Sequence, residues 1–207
     1  MPDKHALLGR LLIEESVKET FIAQLVRKFQ ALKVGPGEAD VDMGPLLNER
    51  QYTKISTLLQ KAKEDGYVVT GGETLTIKGY ENGYYVEPTI LAGVDANDPL
   101  AQEEIFGPVL TIFTFTTVEE AIALANSTDY GLVAGIWSKD LDTAHFVASR
   151  VQAGQVFVNN YGAAGGIQMP FGGYKKSGIG REKGFIALRN YTQMKNIAIR
   201  YAPPNQM

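Results

Sequence analysis

Two adjacent carboxylates open the stretch Glu103-Glu104-Ile105-Phe106-Gly107-Pro108-Val109. A carboxylate accepts hydrogen bonds from neighbouring hydroxyls, and an aromatic ring offers a flat stacking surface. Gly107-Pro108 stiffens the exit and holds ring and carboxylate in a fixed relation. A flat, hydroxylated ligand suits this set, and a nucleoside sugar with its base fits that description. The same residues also suit a solvated acidic edge followed by a core Phe before a turn.

A second concentration of unusual residues runs from Tyr161 to Gly184, where eight of the residues are glycine. A loop of this length inside a compact domain is usually functional. Its glycines do not form a phosphate loop. "GIGREKG" is one residue too long for the dinucleotide fingerprint and follows a loop rather than a strand, and "FGGYKKSG" lacks the Gly-Lys-Ser/Thr order. A permissive backbone that lets a ligand or neighbouring segment come close is the simpler account. Glu182 is expected at a helix start, where the helix dipole favours a carboxylate. His145 is expected as a core or boundary residue, and His5 lies in the first few residues. With two histidines and no cysteine, the chain has no thiol nucleophile, no disulfide and no recognisable zinc-ligand pattern.

The elements that must position these residues alternate. Val17, Phe21, Leu25, Phe29 and Leu32 make one apolar helical face after a strand end, and "VGPGEADVDMGP" (34–45) is a loop. Tyr52, Ile55, Leu58, Leu59 and Ala62 line a second helix over Asn48–Asp65, closed by Gly66. "YVVTGG" reads as a strand, and Asn82-Gly83 marks a hairpin turn. Strands are expected at Val109–Phe115, Leu132–Ser138 and Gln155–Asn160. Helices lie between them, the first opened by a capping box of Thr117 and Glu120. A short helix and an alternating strand, Asn196–Tyr201, end the pattern. Strand–helix alternation at short spacing predicts an α/β fold: a three-layer domain around a mostly parallel twisted sheet. A net charge of -3 without a basic run excludes a nucleic-acid footprint, and no apolar run reaches membrane-span length. The expectation is a soluble, cytoplasmic protein with no nucleic-acid or membrane partner.

"EEIFGPV", "VFVNN" and "PFGGYKKSGIGRE" together resemble the C-terminal part of the NAD(P)-dependent aldehyde dehydrogenases. "GPLLNERQYTKISTLL", "GYYVEPTIL", "EEAIALANSTDYGLVAGIWS" and "YTQMKNIAIRY" are similar to the same family, so the match runs from about Arg10 to Tyr201. The resemblance implies that residues 1–194 are a catalytic-domain portion and 195–207 an oligomerisation strand and tail. It implies that Glu104 binds the nicotinamide ribose of NAD or NADP and that Phe106 packs near the nicotinamide. It further implies that Glu182 relays protons and that Phe171 walls a substrate tunnel.

Family members attack the aldehyde with a cysteine, pass hydride to the nicotinamide and release an acid. By this resemblance the cysteine would fall near His5, where "MPDKHALL" does not match. The chain alone is therefore expected to be inactive, to bind no cofactor by itself, and to work with a missing N-terminal half or as a homo-oligomer. The alternative is a non-catalytic module of the same fold that binds a protein partner.

Overall fold

The computed structural model describes residues 9–161 and 166–201. Strand β1 (Arg10–Glu14) passes through a 3-10 turn into α1 (Lys18–Gln30). After a loop come α2 (Glu49–Glu64), β2 (Val68–Thr70), β3 (Thr74–Ile77), β4 (Tyr80–Val86) and β5 (Thr89–Ala92). The remaining elements are α3 (Pro99–Gln102), β6 (Val109–Phe115), α4 (Val118–Asn126), β7 (Val133–Ile136), α5 (Leu141–Ala148) and β8 (Gln155–Val158). Two 3-10 helices follow, Lys175–Ser177 and Phe185–Tyr191.

The main sheet has the order β1-β6-β5-β2. β6 is flanked by parallel neighbours, with Arg10 opposite Thr111 on one side and Thr89 opposite Val109 on the other. β2 closes the far edge antiparallel to β5. Side chains alternate across the sheet as the pleat requires. Leu91, Val109 and Phe113 meet Ile55, Leu59 and Ala62 of α2 on one face. Ile13, Ile90 and Ile112 meet Ile22, Leu25, Val26 and Phe29 of α1 on the other. Helix, sheet and helix thus form the three layers of an α/β fold with a mostly parallel sheet.

Local chemistry fixes the helix ends. The Asn48 side chain accepts from the Gln51 amide at 3.0 Å and caps α2. Gly66 ends that helix at φ 75°, and Tyr67 N–H reaches the Ala62 carbonyl at 2.8 Å. Thr117 accepts from the Glu120 amide at 3.1 Å. The reciprocal bond shifts by one residue, because Glu120 Oε2 accepts from the Thr116 amide at 2.8 Å.

Several expectations are corrected. The hairpin turns at Lys78-Gly79, with Ile77 paired to Tyr80, while Asn82-Gly83 lies inside β4. The left-handed φ of 84° falls on Gly79, so the pairing register, rather than the Asn-Gly dipeptide, chose the turn. Phe21 of α1 and the flanking Val17 and Leu32 are exposed, and the partly buried stripe of α1 is Ile22, Leu25, Val26 and Phe29. β7 and β8 pair with each other in parallel as a separate two-stranded sheet. Among the described residues Asn196–Tyr201 forms no strand and has no ladder partner, and Ile197, Ile199 and Tyr201 are exposed. Residues 202–207 of the proposed tail lie outside the described residues. No helix among the described residues is long and apolar enough to cross a membrane.

Candidate functional site

The Glu103–Val109 segment is held from below. Ile105 is buried in the α2-side core. Gly107 packs so closely on Ile55 that a Cβ there would meet the Ile55 Cδ1 atom. Between these two anchors, Phe106 adopts a left-handed backbone, φ 56°, and its side chain stays 55% exposed. A non-glycine residue in this region carries strain, and such residues concentrate where a side chain must be presented. The motif therefore buries Ile105 and Gly107 and presents Phe106. The expectation of a simple core Phe does not hold.

The two carboxylates differ in their partners. Glu103 Oε2 is 3.3 Å from the Lys54 ammonium of α2. Glu104 has no hydrogen bond or ion pair among the described residues. Its acceptor oxygens are open to a ligand. Both carboxylates and Phe106 line an open depression of about 480 Å³. Lys54, Gln102, Asp129, Tyr130 and Lys176 complete its wall.

Asp129 and Lys176 come to this wall from the Gly-rich loop docking on the α4–β7 connection. The Lys176 amide donates to the Asp129 carbonyl at 2.9 Å, and the Tyr174 amide to the Gly131 carbonyl at 2.8 Å. Lys175 Nζ donates to the carbonyls of Asn126 at 2.7 Å and Thr128 at 2.8 Å. Ser177 Oγ accepts from the Gly131 amide at 3.0 Å. Lys176 Nζ and Asp129 Oδ2 then pair at 2.6 Å. Hydrogen bonding to this ammonium, aided by its charge, holds the Asp129 carboxyl below the usual carboxylate range. The pair is well exposed, so salt screens it.

Phe171 and Glu182 form a second group. Each donates its amide to the other's carbonyl at 2.7 Å, making an antiparallel bridge across the loop. Glu182 is therefore not at a helix start. Left-handed backbone at Gly180, Lys183 and Gly184 precludes a helix there, and the 3-10 turn begins at Phe185. Neither Phe171 nor Glu182 lines the depression that holds Glu104 and Phe106. The four sequence-nominated residues thus fall into two pairs. His145 is exposed on α5 rather than buried, and His5 lies outside the described residues. No cluster of three or more potential metal ligands occurs among the described residues.

Lys54, Asp129 and Lys176 were not singled out in the sequence. Lys54 shares its helix with the apolar face but points its charge to the depression wall. Asp129 and Lys176 are far apart in sequence, so only the folded loop shows that they meet.

A profile of the aldehyde dehydrogenase family matches residues 6–197. Betaine aldehyde dehydrogenase of Cereibacter sphaeroides is 41% identical over 196 residues, which is 94% of this chain and 40% of that protein. Betaine aldehyde dehydrogenase of Brucella anthropi is 37% identical over 192 residues, 92% of this chain and 39% of that protein. The crystal structure of Staphylococcus aureus betaine aldehyde dehydrogenase in complex with NAD+ superposes with a TM-score of 0.82 at 37% identity. That superposition covers 88% of this chain and 37% of the Staphylococcus aureus chain. The chain spans about 40% of the length of the curated relatives that it matches. With the family profile matched over residues 6–197 and 41% identity to a betaine aldehyde dehydrogenase over 94% of its own length, the chain belongs to the aldehyde dehydrogenase family.

Proposed function

We propose that this chain supplies the C-terminal part of an NAD- or NADP-dependent enzyme that oxidises an aldehyde to a carboxylic acid. The observation that carries the proposal is the unpaired Glu104 carboxylate next to the presented ring of Phe106 on an open depression. Two acceptor oxygens suit the vicinal hydroxyls of a ribose, and the exposed ring suits a flat heterocycle. Glu104 and Phe106 therefore fit the nicotinamide end of the cofactor. When bound, that cofactor supplies a hydride acceptor.

The chain's own residues bind and orient. Glu104 fixes the ribose, Phe106 limits the swing of the ring, and the Lys54–Glu103 pair borders the same wall. Phe171 walls the aldehyde's approach, and the Glu182 carboxylate accepts a proton from water and returns it to solvent. The 207 residues contain no cysteine, so a thiol nucleophile must come from elsewhere. The chain by itself is proposed to be inactive. Removing one member of a covalent catalytic unit costs several orders of magnitude in rate.

Mixing this chain with the N-terminal portion of a family relative that carries its cysteine tests the proposal through NAD(P)H absorbance. The chain alone should produce no signal, and the mixture should produce one. In the mixture, Glu104→Gln should weaken cofactor binding by about tenfold to a hundredfold, because a hydrogen bond to a charged group is lost. Unchanged cofactor affinity in that variant would rule out the ribose contact.

The exposed Ile197, Ile199 and Tyr201 support a further part of the proposal, that Asn196–Tyr201 pairs with another chain. Light scattering should then give a mass above 22.6 kDa at high concentration. A monomer throughout the concentration series would count against pairing between copies.

A further inference from the structure

We propose that Lys183 sets the charge preference of the aldehyde site, disfavouring cationic aldehydes and favouring those with a carboxylate at the far end. The inference rests on the placement of Phe171 at the substrate's approach, as proposed above. Lys183 follows Glu182, which is tied to Phe171 by two 2.7 Å backbone bonds. Its backbone is left-handed, φ 59°. The side chain thereby returns to the Phe171 ring, with Nζ 5.4 Å from the ring centroid. An ammonium within about 6 Å of a ring face is attracted by the ring's quadrupole.

The contact has a chemical consequence. The same ring electrons would stabilise a quaternary ammonium group on a substrate. Lys183 already occupies one face of that ring with a positive charge. A cationic substrate would meet like charge there, while a carboxylate would meet a partner.

The neighbouring charges leave Lys183 open. Between Gly166 and Tyr191 the basic residues are Lys175, Lys176, Arg181, Lys183 and Arg189, and the only acid is Glu182. Three of these cations have acceptors: Lys175 on two carbonyls, Lys176 on Asp129, and Arg181 on the carbonyls of Gly173 and Gly180. Lys183 has no hydrogen bond or ion pair among the described residues, and Glu182, its sequence neighbour, does not pair with it. Its charge is available to a ligand.

The test uses the enzyme reconstituted from this chain and the cysteine-bearing portion described above. kcat/KM is measured for three aldehydes of equal length, ending in a carboxylate, a methyl group and a trimethylammonium group. The ratio of the carboxylate to the trimethylammonium substrate should fall by about tenfold in Lys183→Gln, in line with the loss of one nearby charge in a partly wet site. Lys183→Glu should lower it further, and Lys183→Arg should preserve it. A folding defect would lower all three values together and leave the ratio unchanged.

Phe171→Leu separates the two levels of the argument. If it leaves all three substrates unaffected, Phe171 is not at the substrate and the parent placement fails. If it changes them while Lys183→Gln leaves the ratio alone, the role of Lys183 fails by itself. No turnover of any aldehyde overturns both.

Discussion

Replacing Ile55 with alanine is expected to destabilise the fold by about 2–5 kcal/mol, the range for truncating a buried aliphatic side chain. Ile55 is fully buried at the junction of α2 with Leu91, Val109 and Phe113. It also touches Gly107, the exit of the Glu103–Val109 segment. The lost methylenes therefore open a cavity under both the sheet and the Phe106 turn. Urea unfolding gives the stability change, and amide exchange at Phe106 and Gly107 reports the turn. Exchange at these two amides should accelerate more than exchange in β1, at the edge of the sheet. A loss below about 1 kcal/mol would mean that neighbouring side chains refill the space and that α2 does not brace the segment.

The second large effect is expected from Gly154→Ala. A Cβ on Gly154 would strike the Gly172 carbonyl oxygen, with the carbonyl carbon only 2.7 Å away. Backbone, unlike the end of a flexible side chain, cannot rotate aside. The Gly172–Gly173 segment must move as a unit, at a cost of about 1–3 kcal/mol or more. Gly172 adjoins Phe171, so the bridge to Glu182 should loosen with it. The predicted outcome is a lowered melting temperature together with faster amide exchange at Phe171 and Glu182. Gly37→Ala is the control, because nothing lies within 4 Å of a Cβ at Gly37. Equal behaviour of the two variants would refute the close docking of the loop on the start of β8.

Much of this architecture is legible in the sequence because its signals are periodic and local. Ile55, Leu59 and Ala62 recur at helical spacing and are the buried face of α2. Val109–Phe115 is largely apolar on both faces and is an interior strand, as a strand covered by helices on two sides should be. Asn82-Gly83 misled because a turn signal is only a propensity, while the pairing of Ile77 with Tyr80 is a tertiary fact. The alternation of Asn196–Tyr201 signals a strand, but a strand exists only with a neighbour to complete its ladder.

The candidate site was half legible. Phe106 and Glu104 stand out by type and by their stiff exit, and the family resemblance gave them roles. What separates Glu104 from Glu103 is Lys54, which α2 delivers from elsewhere in the chain. No local pattern carries that distinction. "GREKG" is a good helix opening in composition, but the left-handed backbone of Gly180, Lys183 and Gly184 keeps Glu182 out of a helix.

The pairing of Arg10 with Thr111 sets the order of events during synthesis. β1 leaves the ribosome before its hydrogen-bonding partner β6, which follows only after α1, α2 and four other strands have been made. Parallel pairing over such a separation in sequence is slow, because the intervening loop must close before any contact rewards it. Until Phe115 clears the exit tunnel, Leu11, Leu12 and Ile13 lack the β6 backbone that pairs with them in the folded sheet. In that interval an unpaired edge is open to self-association, and a chaperone has apolar surface to shield.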